Sequence, residues 1–265
     1  MPVVHAVPGM DRVRVVEDRV YRTVGETALT MTLYAPEAAA APAPAVVLVH
    51  GGPIPEGTNI KQMAVFVSTG RLLAALGFTA VAFNHRWWGP RYLAAAADDV
   101  QALVAHVRER GPELGLDPDR VALWTYSGGG PLLSRWLADR PAFLRALVAY
   151  YAPLDLQVPA EGVPNELTDE ARREYSPLRF LGPGARPVPP ILVARAGQDH
   201  PWLNGAIDRF VAEALRQNAP LDLLNHPQGH HGFDIVDDDV RSREILRRTV
   251  DFLQTHLAHL PRARD

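Results

Sequence analysis

The chain has 265 residues, 47% of them apolar, which is enough for one domain with a sizeable core. It contains no cysteine, which excludes a disulfide framework, a thiolate zinc site and a cysteine nucleophile together. The net charge is -3 with acids and bases interspersed, so neither nucleic acid nor an anionic membrane is expected as a partner.

Val13 to Val16, Arg19 to Val24 and Leu29 to Tyr34 are short and strand-like. In the third, Leu29, Met31 and Leu33 alternate with Thr30, Thr32 and Tyr34, the period of half-buried antiparallel strands. Pro36 to Pro44 is alanine and proline apart from Glu37 and reads as a surface connection. From Ala45 onward strand and helix alternate. Ala45 to Val49, Phe78 to Phe83, Val121 to Thr125, Ala146 to Tyr151, Ile191 to Ala196 and Leu221 to Asn225 are the apolar runs. Between them, Met63 to Leu76 is helix-like and ends at Gly77, and Val100, Leu103, Val104 and Val107 share a face of a helix closed by Gly111. Ile207, Phe210, Val211, Ala214 and Leu215 mark another helix, and Leu246, Val250, Leu253 and Leu257 the last. Asp237, Asp238 and Asp239 directly precede that helix, where acidic side chains favour its N-terminus.

Strands buried on both faces and separated by amphipathic helices predict an α/β fold. It is a doubly wound, mostly parallel sheet with antiparallel N-terminal strands, formed by residues 1–265 as a single domain. Residues 157–190, rich in proline and with only Asp169 to Glu174 suited to helix, are expected to form a small cap. No run of about 18 apolar residues occurs. Met1 to Arg12 lacks a basic region followed by an apolar stretch, so the expectation is a soluble, cytoplasmic protein without membrane attachment.

In a sheet of this kind ligands sit beyond the carboxyl ends of the strands. The polar residues there are His50-Gly51-Gly52-Pro53, Asn84 to Trp88, Ser127, Asp155, Asp199-His200 and His226 to Asp234. Ser127 sits where a strand stops and Gly128 to Pro131 opens a helical segment, a turn so tight that small residues are favoured two places either side of its apex. A serine hydroxyl needs an adjacent base, and that base an orienting carboxylate. Ser127, Asp199 and His231 supply one of each, in the chain order this sheet type uses. The N–H groups of Gly128 and Gly52 are the candidate donors to a developing oxyanion, whereas Pro53 has no N–H to give. Trp88 and Tyr126 are candidate substrate-lining residues, with Trp87 beside them as pocket wall or packing. Arg86 is expected to pair with Asp98 or Asp99, with binding of a substrate carboxylate as its other role. Asp155 is an alternative acid, with an Asx turn as its other role. His230 is an alternative base. The histidines lack metal-ligand spacing, so no metal and no cofactor are expected.

The segments H-G-G-P at His50 to Pro53, Y-S-G-G-G at Tyr126 to Gly130, G-Q-D at Gly197 to Asp199 and H-G-F at His231 to Phe233 resemble those of α/β-hydrolases. The likeness is to serine esterases, to hydrolase domains of prolyl-oligopeptidase-type and acylaminoacyl peptidases, and to dienelactone-hydrolase relatives. It covers most of the chain from Ala45 on. It implies the α/β-hydrolase fold, Ser127 as nucleophile, Asp199 as acid, His231 as base and Gly52 with Gly128 as oxyanion donors. The implied activity is hydrolysis of small to medium acyl esters, with a small-molecule ester as partner. A peptidase or amide hydrolase, a carbon–carbon bond or dienelactone hydrolase, and a non-catalytic small-molecule-binding protein are the other readings. Thr125 departs from the family, which usually has glycine there.

Overall fold

The computed structural model describes residues 1–38, 41–159, 166–184 and 186–258. The chain opens with a hairpin of β1 (Arg14–Val24) and β2 (Thr27–Ala35). Two strands expected separately are one here. Between Val16 and Arg19 the register slips, and Asp18 takes a left-handed φ of 54°, so the gap read as a break is a bulge within β1. The parallel strands follow as β3 (Ala43–Val49), β4 (Thr79–Phe83), β5 (Leu116–Tyr126), β6 (Leu144–Tyr150), β7 (Ile191–Ala196) and β8 (Leu221–His226). The sheet order is β1-β2-β4-β3-β5-β6-β7-β8. Among the described residues, only β1 with β2 and β2 with β4 pair antiparallel.

Alternation along each strand sends side chains to two cores. Val47 and Val49 join one, Val46 and Leu48 the other. The first is closed by α2 (Leu93–Leu114), α3 (Ser134–Asp139) and α5 (Pro201–Arg216) through Val100, Leu103, Val107, Leu137, Ile207 and Phe210. The second is closed by α1 (Ala64–Ala75) and α7 (Val240–Leu257) through Phe66, Leu72, Leu246, Val250 and Leu253. Two short helices complete the set, α4 (Asp169–Glu174) and α6 (Phe233–Val236). Among the described residues no helix is long and apolar enough to cross a membrane.

Two helix ends differ from expectation. α2 runs through Gly111 and stops at Gly115, whose left-handed φ of 75° turns its N–H back to the last turn. Pro112 lies inside the helix, in its last turn. After Ser127 the chain winds first as a 3-10 helix over Ser127–Leu133 and only then as α3. In an α-helix the residue four beyond Ser127 would return its N–H to the Ser127 carbonyl; that residue is Pro131, which has none.

Residues 160–165 and 185 of the expected cap lie outside the described residues. The rest contains α4 and a 3-10 turn at Pro177–Phe180 that packs against the segment beginning at Ser127. This stretch is fastened by Arg140, itself buried. Its guanidinium donates to the carbonyls of Leu137 (2.8 Å), Phe180 (2.6 Å), Gly182 (2.6 Å) and Arg186 (2.7 Å). Ser176 adds a second tie, accepting from Leu156 N–H (2.7 Å) and donating to the Arg172 carbonyl (2.7 Å). Arg140→Met keeps the aliphatic stem and removes every donor. Leaving several partly buried carbonyls unpaired is expected to cost about 3 kcal/mol in urea unfolding, and an unchanged midpoint would show that the clamp carries no stability.

Candidate active site

β5 delivers Ser127 to the rim in a left-handed conformation, φ 49°, which a non-glycine residue adopts only when its surroundings force it. The forcing comes from backbone contacts. A Cβ on Gly128 would overlap the Gly52 carbonyl, and one on Gly129 would strike the Thr125 hydroxyl and lie 2.9 Å from the His50 carbonyl. Thr125, the residue that departs from the hydrolase pattern, is therefore accommodated by the glycine across the turn. The Gly51-Gly52 loop lies directly on the Ser127 turn: a Cβ on Gly51 would sit 2.8 Å from Ser127 Cβ and 3.1 Å from Gly128 N. Gly52 and Gly128 are thus neighbours in space, and the Gly52–Pro53 peptide is cis.

β7 and β8 bring in the other two groups. His231 Nε2 lies 2.9 Å from Ser127 Oγ, and His231 Nδ1 lies 2.6 Å from Asp199 Oδ2. Asp199 Oδ1 accepts from the His200 N–H (2.7 Å), which fixes the carboxylate. Asp199 is 6% exposed in its side chain and His231 44%, so the acid is shielded while the imidazole faces the rim. In the tautomer that donates Nδ1–H to Asp199, Nε2 is free to accept from the serine hydroxyl.

The alternatives resolve structurally. Asp155 accepts from the Gln157 N–H (2.9 Å) in an Asx turn and pairs with Arg209 (2.7 Å). His230 points away, with Nδ1 2.9 Å from Asp237 Oδ1. Asp239 accepts from the Ser242 N–H (2.8 Å) and caps α7, while Asp238 pairs with Arg243. His226 lies 3.1 Å from Ser242 Oγ.

The loop after β4 is anchored from beneath. Asp99 on α2, fully buried, accepts from Arg86 Nε (2.8 Å), Arg86 Nη2 (2.9 Å) and Arg22 Nη1 (2.8 Å). Of the two acids weighed for Arg86, Asp99 is its partner. With Arg86 pinned, Trp87 donates its indole N–H to the Gly128 carbonyl (2.6 Å), and its ring fills the space a Gly52 side chain would need. Trp87 is thus a clamp on the Ser127 turn. Trp88 is half-buried, edge-on to Tyr92 at 5.3 Å. Tyr126 requires correction as a substrate-lining residue. Its ring is buried among Phe66, Trp124, Tyr150 and Tyr151, because the residue before the apex still points into the core as strand alternation dictates. Two groups to which sequence reasoning gave no role also meet at the site: the Tyr151 ring packs on His231, and its hydroxyl donates to Asp234 Oδ1 (2.7 Å).

Under the Gly51-Gly52 loop, His50 and His85 stack at 3.6 Å. His50 Nδ1 donates to the Gly51 carbonyl (2.7 Å), and burial holds its ring at about 4, below the ordinary 6.5. Burial, with His50 beside it, holds His85 well below 6.5 too. Both rings are therefore neutral at pH 7. Burial pushes the Asp234 carboxyl the other way, up to about 6. Below pH 6.5 the unfolded chain takes up protons at both imidazoles that the folded protein refuses, so their contribution is complete above 6.5 and is lost as pH falls towards 4. Asp234 opposes this, because its raised value favours the folded state as pH falls from 6 towards 3.8. Two imidazoles against one carboxyl give a net loss of stability between pH 7 and 4.5. Urea unfolding at the two pH values measures it, and equal midpoints would contradict the burial of two neutral histidines.

A family model described as BD-FAE matches residues 31–137, from β2 to α3. By sequence the chain is 27% identical over 241 residues to esterase LipQ of Mycobacterium tuberculosis, covering 80% of this chain but 55% of that protein. The chain thus spans about half the length of that curated relative. In structure it is similar to the thermophilic esterase 2 of the planctomycete Thermogutta terrifontis. With the butyrate-bound form the TM-score is 0.73 at 19% identity, over 97% of this chain and 98% of that one. With the form phosphorylated by paraoxon it is 0.72 at 20% identity, over 96% and 98%. By sheet order, crossover pattern and likeness to these structures, the chain has the α/β-hydrolase fold.

Proposed function

We propose that the protein is a serine carboxylesterase. The observation that carries this reading is the continuous hydrogen-bonded line from Ser127 Oγ through the His231 ring to Asp199, 2.9 and 2.6 Å long. Ser127 attacks the ester carbonyl as His231 Nε2 takes its proton, and Asp199 stabilises the imidazolium that forms. The N–H groups of Gly128 and Gly52 receive the oxyanion, on two backbone segments that the Trp87 clamp holds together. His231 then protonates the departing alkoxide. In the second half-reaction it activates water against the acyl-enzyme.

The substrate class follows from what stands near the serine. The Pro177–Phe180 turn is fastened beside the Ser127 segment by Arg140, and the described part of the cap is short. This supports small to medium acyl groups, and Trp88 at the rim is the aromatic wall available to them. The butyrate bound by the structurally similar esterase points to the same size range. A chain without cysteine suits the reducing cytoplasm, where we place the protein.

A panel of p-nitrophenyl esters from acetate to palmitate, run beside aminoacyl p-nitroanilides, tests the proposal. Turnover is expected to peak at short chains, with the anilides well below. Ser127→Ala is expected to lower kcat by at least about 10⁴-fold and Asp199→Asn by a comparable factor. Preferential cleavage of the anilides, or an active Ser127→Ala, would overturn it.

A further inference from the structure

Behind the catalytic-site histidine lies a second carboxyl that the mechanism above does not use. Asp234 is fully buried in α6, three residues beyond His231. Its Oδ1 accepts from the Tyr151 hydroxyl (2.7 Å), while Oδ2 has no hydrogen-bond partner from another residue. Tyr151 directly follows β6, and its backbone is left-handed with φ 36°, an unfavourable conformation for so bulky a residue. That conformation turns the ring to the rim, where its centroid lies 4.7 Å from that of the His231 imidazole. Both flanks of the arrangement are costly alone, a strained tyrosine and a buried carboxyl with one oxygen unpaired. Such a combination persists where the surroundings demand it.

We propose that Tyr151 and Asp234 are positioning residues for His231: the buried carboxyl anchors the phenol whose ring backs the imidazole, and its charge favours the imidazolium formed when Ser127 gives up its proton. The inference rests on the reading of Ser127 and His231 as nucleophile and base. Asp199 holds the ring from its edge through Nδ1, whereas Tyr151 supports its face, so the two constraints are complementary.

The titratable groups that face Asp234 are Tyr150 and Tyr151 at the end of β6, Tyr126 at the end of β5 and His231 in the loop before α6. Burial, reinforced by Asp234, keeps the Tyr151 phenol well above its ordinary range, so it stays a hydrogen donor. Burial raises Asp234 itself to about 6, while the Tyr151 hydrogen bond and the charge of His231 pull it back down. The carboxyl is therefore ionised in neutral solution and neutral in mild acid, and the imidazolium loses a nearby counter-charge as pH falls through about 6.

Profiles of kcat/KM against pH for p-nitrophenyl butyrate, taken for the wild-type protein, Asp234→Asn and Tyr151→Phe, test the proposal. The wild-type acid limb is expected to contain an inflection near pH 6, about tenfold deep, in addition to the one for the imidazole. Asp234→Asn removes that inflection and lowers kcat about tenfold at pH 8 with little change in KM. Tyr151→Phe keeps the ring but deletes the bond that lowers Asp234, so its inflection moves to higher pH. A purely structural role would scale all profiles without changing their shape, and that result, in either folded variant, would overturn the proposal. Should Asp234→Asn not fold, Tyr151→Phe alone decides. Should the wild-type protein hydrolyse no ester, the esterase reading falls, and the proposal is decided by NMR titration of the His231 ring. A second inflection absent in Asp234→Asn supports the pair, and a single one refutes it.

Discussion

The structure depends on how closely two backbones approach at the end of the sheet. The turn at Ser127 and the loop at Gly51-Gly52 come from strands that lie side by side, β5 and β3, and they meet with no side chain between them. Gly128 is there because the Gly52 carbonyl occupies the place of its side chain, and Gly129 because the Thr125 hydroxyl occupies the place of its own. The contact sets the strained φ of Ser127, aims its hydroxyl out of the sheet and brings two backbone N–H-bearing segments together beside it. A reaction that creates an oxyanion needs donors that do not have to move. Rigid backbone contact supplies that stiffness more cheaply than mobile side chains can.

Around this contact the protein arranges polar groups so that each fixes the next. Asp99 holds Arg86, the loop so anchored carries Trp87, and Trp87 holds the Gly128 carbonyl. His50 and His85, stacked and neutral, fill the space under the Gly51-Gly52 loop without placing a charge there. On the other side Tyr151 and Asp234 lie behind His231. Of the uncharged members of these networks, Trp87 and His50 donate to backbone carbonyls and Tyr151 to the Asp234 carboxylate. His231 meets the Tyr151 ring, the Asp199 carboxylate and the Ser127 hydroxyl.

Much of this was legible in the sequence because it rests on period and order. Continuous apolar runs separated by amphipathic helices specify the sheet, and the rule that ligands lie past the strand ends gathers Ser127, Asp199 and His231 from their order in the chain. The helix end at Gly115, the bulge at Asp18 and the 3-10 start after Ser127 were not legible, since each depends on a single residue's backbone conformation. Tyr126 was misread because a residue next to a nucleophile in sequence faces the opposite side of the strand. Trp87 and Tyr151 escaped for a related reason: their roles are defined by what they touch from another strand. Asp234 stood in the H-G-F-D stretch in plain view, but nothing in a sequence says that a carboxyl following a histidine is buried.

The central claim is that the Ser127 hydroxyl is activated by an imidazole already in hydrogen-bonding reach. The direct measurement is reaction of the folded protein with a fluorophosphonate at neutral pH, followed by mass spectrometry of its peptides, beside His231→Ala. The account predicts one adduct per chain, on Ser127, formed rapidly by the wild-type protein and slower by orders of magnitude in the variant. A folded wild-type protein that stays unmodified, or that is labelled at another residue, would contradict it.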